Sequence, residues 1–225
     1  MTGFTLKIIA TVTMLIDHIG HTLMRLGYEN VLLLRYIGRI AFPIFAFLIA
    51  VGAIKTNNID KYFMRLAIFA IISQIPFAIV LGTNIFGTLN IFFTLAIGVL
   101  AISIIKIFDS RTTDIYAKYL YIGIILLVSF LIAQWLNTDF GGLGSMLIVA
   151  LYLCKSKIHT AIIICLFMFL IYLPQTDIGF FMLVSSFVSL VPIMMYNGEF
   201  GKKVNKYFFY VFYPLHLAVL SLILM

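Results

Sequence analysis

The first apolar segment of the chain contains four residues that hydrocarbon would reject: Asp17, His18, His21 and Arg25. Asp17, His21 and Arg25 follow at i, i+4 and i+8, so on a helix they share one face, with His18 one position round from Asp17. Ionisable groups inside a membrane span are expensive and by default mark a site. A histidine beside a carboxylate suits general-base work near neutral pH: the ring takes a proton from an attacking amine or hydroxyl while the carboxylate steadies the imidazolium. No serine or cysteine nucleophile flanks the pair, so direct transfer is simpler than a covalent relay. The same residue types serve proton-coupled transport, and they also serve as polar glue between helices. Residue types leave these three readings open. No P-loop, GxSxG, HExxH or CxxC motif is present, and no metal site is expected. Cys154 and Cys165 lie in apolar runs without metal-ligand or disulfide spacing and read as small core residues.

The elements that must position these side chains are helices in a bilayer. Hydrophobic residues make up 64% of the 225 and charged residues 10%, against roughly 25% charged in a soluble domain. Apolar stretches of about 20 residues recur along the chain, the length a helix needs to cross ~30 Å of hydrocarbon. They do not alternate apolar and polar as barrel strands would. The expected fold is therefore all-α, a polytopic transmembrane bundle forming a single domain over residues 1–225. The net charge of +7 is spread over short loops with no basic domain or aromatic-basic patch, which gives no support to nucleic acid as a partner. The first apolar run holds Asp17 and His18 and lacks a small-residue cleavage site, so it reads as a retained helix and not as a signal peptide.

About nine spans are expected, over residues 6–24, 36–54, 62–81, 88–107, 117–136, 142–154, 158–174, 179–196 and 204–224. The sixth and seventh are divided because Lys155 and Lys157 would be costly inside one long helix. With a cytoplasmic N-terminus and an external C-terminus, Lys7, Lys55, Lys61, Arg65, Lys106, Arg111, Lys118, Lys155, Lys157, Lys202, Lys203 and Lys206 fall inside. The outer loops near 84, 138 and 177 then contain no Lys or Arg, as the positive-inside rule asks. Arg25, Arg35 and Arg39 cluster at the opposite end and need another reason.

Depth follows from the ~1.5 Å rise per residue. His18, Gln74 and His216 each lie twelve residues into their spans, which puts all three on one level, roughly 18 Å from the inner end. Arg39 reaches nearly the same layer from the other side, and Pro43, Pro76 and Pro214 free backbone carbonyls close to it. A polar, partly hydrated cavity in the outer half of the bundle is the inference, with Asn90, Thr94, Tyr210 and Tyr213 as further lining candidates. Gly141, Gly142 and Gly144 read as close-packing positions and not as a phosphate cradle.

Five blocks carry a family resemblance: LKIIATVTMLIDHIG at 6–20, GRIAFPIFAFLIAVGA at 38–53, KYFMRLAIFAIISQIPF at 61–77, NIFFTLAIG at 90–98 and KYFFYVFYPLHLAVL at 206–220. Taken together they resemble the TraX family, whose founding activity is acetylation of a conjugative pilin N-terminus. Lys7 and His18, ten residues between them, also match a basic-residue and histidine pattern of a wider membrane acyltransferase superfamily. The resemblance implies a multi-pass acetyltransferase of the bacterial inner membrane, with acetyl-CoA as donor and a peptide or glycan acceptor. His18 would be the general base and Asp17 its orienter, with His216, Arg39 and Gln74 completing the site. Lys61, Arg65, Lys202 and Lys203 are candidates for the CoA phosphates by position. Expected partners are membrane lipids and the acceptor, and homo-oligomer formation is compatible with the pattern. The alternatives are a small proton-coupled transporter, for which no inverted repeat is visible, and a scaffold or immunity-type protein, which leaves the three arginines unexplained.

Overall fold

A computed structural model describes residues 1–174, 177–205 and 207–224; expectations placed on Lys206 and Met225 lie outside these. Eleven helices form among the described residues: α1 (Gly3–Arg25), α2 (Leu32–Gly38), α3 (Ala41–Lys55), α4 (Ile59–Leu81), α5 (Ile91–Asp109), α6 (Ile115–Trp135), α7 (Gly141–Leu153), α8 (Lys157–Tyr172), α9 (Asp177–Phe187), α10 (Leu190–Met194) and α11 (Tyr207–Leu224). Six segments are long and apolar enough to cross a membrane: α1, Leu32–Lys55, α4, α5, α6 and α11. Three shorter apolar stretches follow α6: Gly141–Leu153, Lys157–Tyr172 and Ile178–Met194. Large apolar side chains such as Ile71, Leu127, Leu131 and Leu222 stand exposed along these helices. Apolar surface on that scale is the mark of a protein whose solvent is lipid, and this is an integral membrane protein.

The second expected span contains a turn. Regular helix is interrupted at Arg39 and Ile40 between α2 and α3, and Pro43 sits in the first turn of α3, where its missing N–H is not needed. The division between the sixth and seventh segments also forms: α7 ends at Leu153, and Ser156 caps α8 by accepting from the His159 amide at 3.2 Å.

Contacts sort the helix ends into two groups. At one end the Met1 amino group donates to the Met195 carbonyl at 2.5 Å, Gly3 N–H to Glu199 O at 2.8 Å, Lys106 to Ala53 O at 2.6 Å and Lys157 to Met194 O at 2.9 Å. At the other, Leu89 N–H donates to Asn137 O at 3.0 Å and Arg25 to Val80 O at 3.1 Å. Arg25 thereby caps the C-terminal carbonyls of α4, a favourable place for a cation.

Close approach of the helices depends on glycine. A Cβ on Gly38 would collide with the Asp17 side chain, and one on Gly20 would lie 2.7 Å from Leu34 Cβ, so both glycines let α1 and α2 pack together. Gly142 faces Phe130, and Gly144 faces Phe140, Thr94 and Phe42, so both serve helix packing; Gly141 takes a positive φ of 52°.

Candidate functional site

Two histidines from opposite ends of the sequence meet in the bundle. His18 of α1 and His216 of α11 are 8% and 7% exposed, and Nδ1 of His18 lies 2.7 Å from Nε2 of His216 with the rings stacked. His216 Nδ1 lies 2.8 Å from the Phe212 carbonyl, which can only accept. The tautomers of the neutral pair follow from this chain. His216 carries its proton on Nδ1 and accepts at Nε2; His18 donates from Nδ1, and its Nε2 keeps a free lone pair. That is the form a general base needs.

The orienting partner of His18 is thus His216 and not Asp17. Successive residues on a helix diverge by about 100°, and Asp17 turns toward α2. Its Oδ2 forms ion pairs with Arg39 at 2.5 Å and Arg35 at 3.0 Å, and Arg39 Nε also donates to the Arg35 carbonyl at 3.2 Å. Arg35 and Arg39 have their reason in this partly buried carboxylate, as Arg25 has in the end of α4.

Gln74 lies apart from the histidines. Its amide donates to the carbonyls of Ile85 at 2.7 Å and Thr88 at 2.9 Å, and its oxygen accepts from the Asn90 backbone and side chain at 3.0 and 2.8 Å. Asn90 in turn caps α5 through the Phe92 amide, and Thr94 donates to the Asp139 carbonyl. These three fix the connection between α4 and α5 and are not among the cavity-lining residues.

A cavity of about 140 Å³ is lined by Asp17, His18, His21, Arg35, Arg39 and Asp139, with Gly38, Phe42, Phe77, Phe140 and Tyr213 among its other walls. A second, largely apolar cavity of about 300 Å³ runs to the end where the N-terminus lies, past Thr11, Leu48, Leu66, Phe92 and Tyr210 to Lys7, Lys55 and Arg65. Met14, Phe45, Ile91 and Tyr213 line both cavities, which are therefore adjacent. Of the four basic candidates, Arg65 lines the larger cavity, whereas Lys61, Lys202 and Lys203 are exposed and do not. Lys7 and Lys55 take the places at its mouth. Lys55 donates to Tyr196 Oη at 3.3 Å and sits 4.4 Å above the Phe200 ring. No cluster of metal-ligating side chains exists among the described residues.

Sequence reasoning misses Asp139. It lies in the five-residue link between α6 and α7, a position hydropathy treats as a turn, and nothing in the sequence distinguishes it from a solvated loop aspartate.

Fold and site together define a helical membrane protein with a polar, histidine-bearing chamber next to an apolar cavity. Residues 2–224 match the TraX protein family, and the chain belongs to that family. It is similar to a probable fimbrial assembly protein FimC, serogroup H1, of Dichelobacter nodosus, with 28% identity over 97% of this chain and 93% of that protein. It is also similar to an uncharacterized protein, RP591, of Rickettsia prowazekii (strain Madrid E), with 26% identity over 88% of this chain and 80% of that one. No solved structure matches.

Proposed function

We propose that the protein is an acetyl-CoA-dependent acyltransferase of the bacterial inner membrane, moving an acetyl group to an amine or hydroxyl of a peptide or glycan acceptor. The observation that carries this reading is the His18–His216 couple, 2.7 Å apart, with His18 lining a chamber that shares four wall residues with an apolar cavity with a basic mouth. The donor fits that larger cavity. Lys7, Lys55 and Arg65 supply cations where the CoA phosphates would lie, and about 300 Å³ of mostly apolar space accommodates a pantetheine arm. His18 Nε2 takes the proton of the attacking group, and His216 holds the ring in that tautomer. Arg39 supplies positive charge for a developing oxyanion. Asp17 keeps Arg35 and Arg39 in place. The name of the Dichelobacter relative favours a peptide acceptor, a subunit of a surface fibre.

The proton-coupled transporter reading draws less support, because Asp17 is committed to two arginines and forms no Asp–His proton chain. Nine crossings, N-terminus inside and C-terminus outside, suit the donor. The helix ends sort into two groups, and the end shared with Met1 carries Lys55, Lys106 and Lys157, while the links at 82–90 and 136–140 contain no Lys or Arg. The decisive test is incubation of the purified protein with labelled acetyl-CoA. CoA release, acetyl transfer and a concentration-dependent rise in Tm are expected. Millimolar acetyl-CoA that leaves both Tm and its own thioester unchanged overturns the reading.

A further inference from the structure

Asp139 is held with unusual care for a loop residue. Its N–H donates to Leu89 O at 2.8 Å, its carbonyl accepts from Thr94, and Gly141 N–H closes back on Thr138 O at 2.7 Å. Asn137 Nδ2 ties the same link to Gly87 O at 2.6 Å. Within it Asn137 and Phe140 adopt positive φ of 48° and 62°, and Phe140 stacks on Phe42 with ring centroids 3.7 Å apart. A left-handed phenylalanine is costly, and such conformations persist only where the surroundings over-determine them. The product of this strained and pinned backbone is a carboxylate facing the chamber that contains His18. No cation forms an ion pair with it among the described residues; Arg35 and Arg39 pair with Asp17, and their charges reach Asp139 without a direct ion pair. A carboxylate that lines the chamber without an ion-pair partner of its own can receive a cation there.

We propose that Asp139 binds the acceptor's attacking group as an ammonium ion and takes the first of its two protons, leaving the second to His18. The inference rests on the acyltransferase reading and adds to it a second proton acceptor. Proton balance explains why two are needed. A hydroxyl gives up one proton, which His18 can pass on to the departing CoA thiolate, so one base suffices. An ammonium must lose one proton to become a nucleophile and another as its nitrogen bonds to the acetyl carbon and the C–S bond breaks. The second returns through His18 to the thiolate; the first stays on Asp139 until water at that end of the bundle removes it. Burial pushes the Asp139 carboxyl up to about 6, so it is ionised at neutral pH yet basic enough to share an ammonium proton. The charged and titratable groups around it are Asp17, His18 and His21 from α1, Arg35 and Arg39 from α2 and the turn after it, Tyr172 from α8 and Tyr213 from α11.

The test compares benzylamine with benzyl alcohol as acceptors for the full-length protein, its Asp139→Asn variant and its Asp139→Glu variant. Monodispersity and Tm confirm that each is folded. In Asp139→Asn the amine-over-alcohol ratio of kcat/KM should fall by about tenfold or more. Its amine transfer should move to higher pH, where free amine is present in solution, and Asp139→Glu should recover part of the ratio. An unchanged ratio and pH profile in a folded Asp139→Asn protein overturns the proposal. The acyltransferase reading fails separately, by wild-type protein leaving acetyl-CoA intact. In that event benzylammonium alone, without acetyl-CoA, tests the cation site: it should raise the Tm of wild type more than that of Asp139→Asn, and equal shifts sink the site.

Discussion

Replacing His216 with phenylalanine keeps the volume and stacking of the ring while deleting the acceptor of the His18 Nδ1 proton. In the native pair that acceptor lies 2.7 Å away, and His216 is itself fixed by the Phe212 carbonyl at 2.8 Å. The variant leaves a buried N–H with no partner, which costs about 1–3 kcal/mol. The ring can relieve this by moving its proton to Nε2 or by rotating, and either removes the lone pair from the chamber. If the relaxation is complete, the productive tautomer must be recovered against that energy in every turnover, which corresponds to a loss of about 5- to 150-fold in kcat. His18→Gln, which removes the base itself, should lose about 10² to 10⁴-fold. The assay is acetyl transfer per folded molecule, with acetyl-CoA affinity measured alongside from the Tm shift, because Lys7, Lys55 and Arg65 are untouched and the KM for donor should change little. A folded His216→Phe protein with wild-type kcat refutes the tautomer argument.

Two further outcomes follow from the geometry. Asp17→Asn removes the shared counter-charge of Arg35 and Arg39, so it should lower folded yield and Tm at a cost of about 3–5 kcal/mol; a variant with wild-type Tm and folded yield would show that the two arginines do not depend on Asp17. Reporter fusions after the last residue should be active outside the cytoplasm, and activity confined to the cytoplasm removes the nine-crossing topology.

What was legible in the sequence was mostly depth and hydropathy. Span lengths placed the helices, two lysines placed the break before α8, and counting residues along α1 and α11 put His18 and His216 on one level, where they meet. Counting gives height but not azimuth. Gln74 stands twelve residues into its expected span like the histidines, yet it turns to the α4–α5 connection and serves Ile85, Thr88 and Asn90. Lys61, Lys202 and Lys203 are at the basic end, but Lys7 and Lys55 face the cavity. Asp17 follows the same logic: adjacency in sequence to His18 suggests a partnership that the helical turn forbids.

The less legible part of the site is the part built from non-local backbone. Asp139 reaches the chamber only because Leu89, Thr94 and Gly87, all from the preceding α4–α5 connection and the start of α5, fix the α6–α7 link by hydrogen bonds. Gln74 and Asn90 hold that connection in turn, so a residue expected to do chemistry acts two steps removed from it. The polar residues around the site therefore divide by distance from the chamber. His18, Asp139, Asp17, Arg35 and Arg39 line it, His216 fixes His18, and Gln74, Asn90 and Thr94 fix the backbone that presents Asp139. Backbone polar groups inside a bilayer must be satisfied within the protein, and the hydrogen bonds that place Asp139 also satisfy backbone groups of the connections around it.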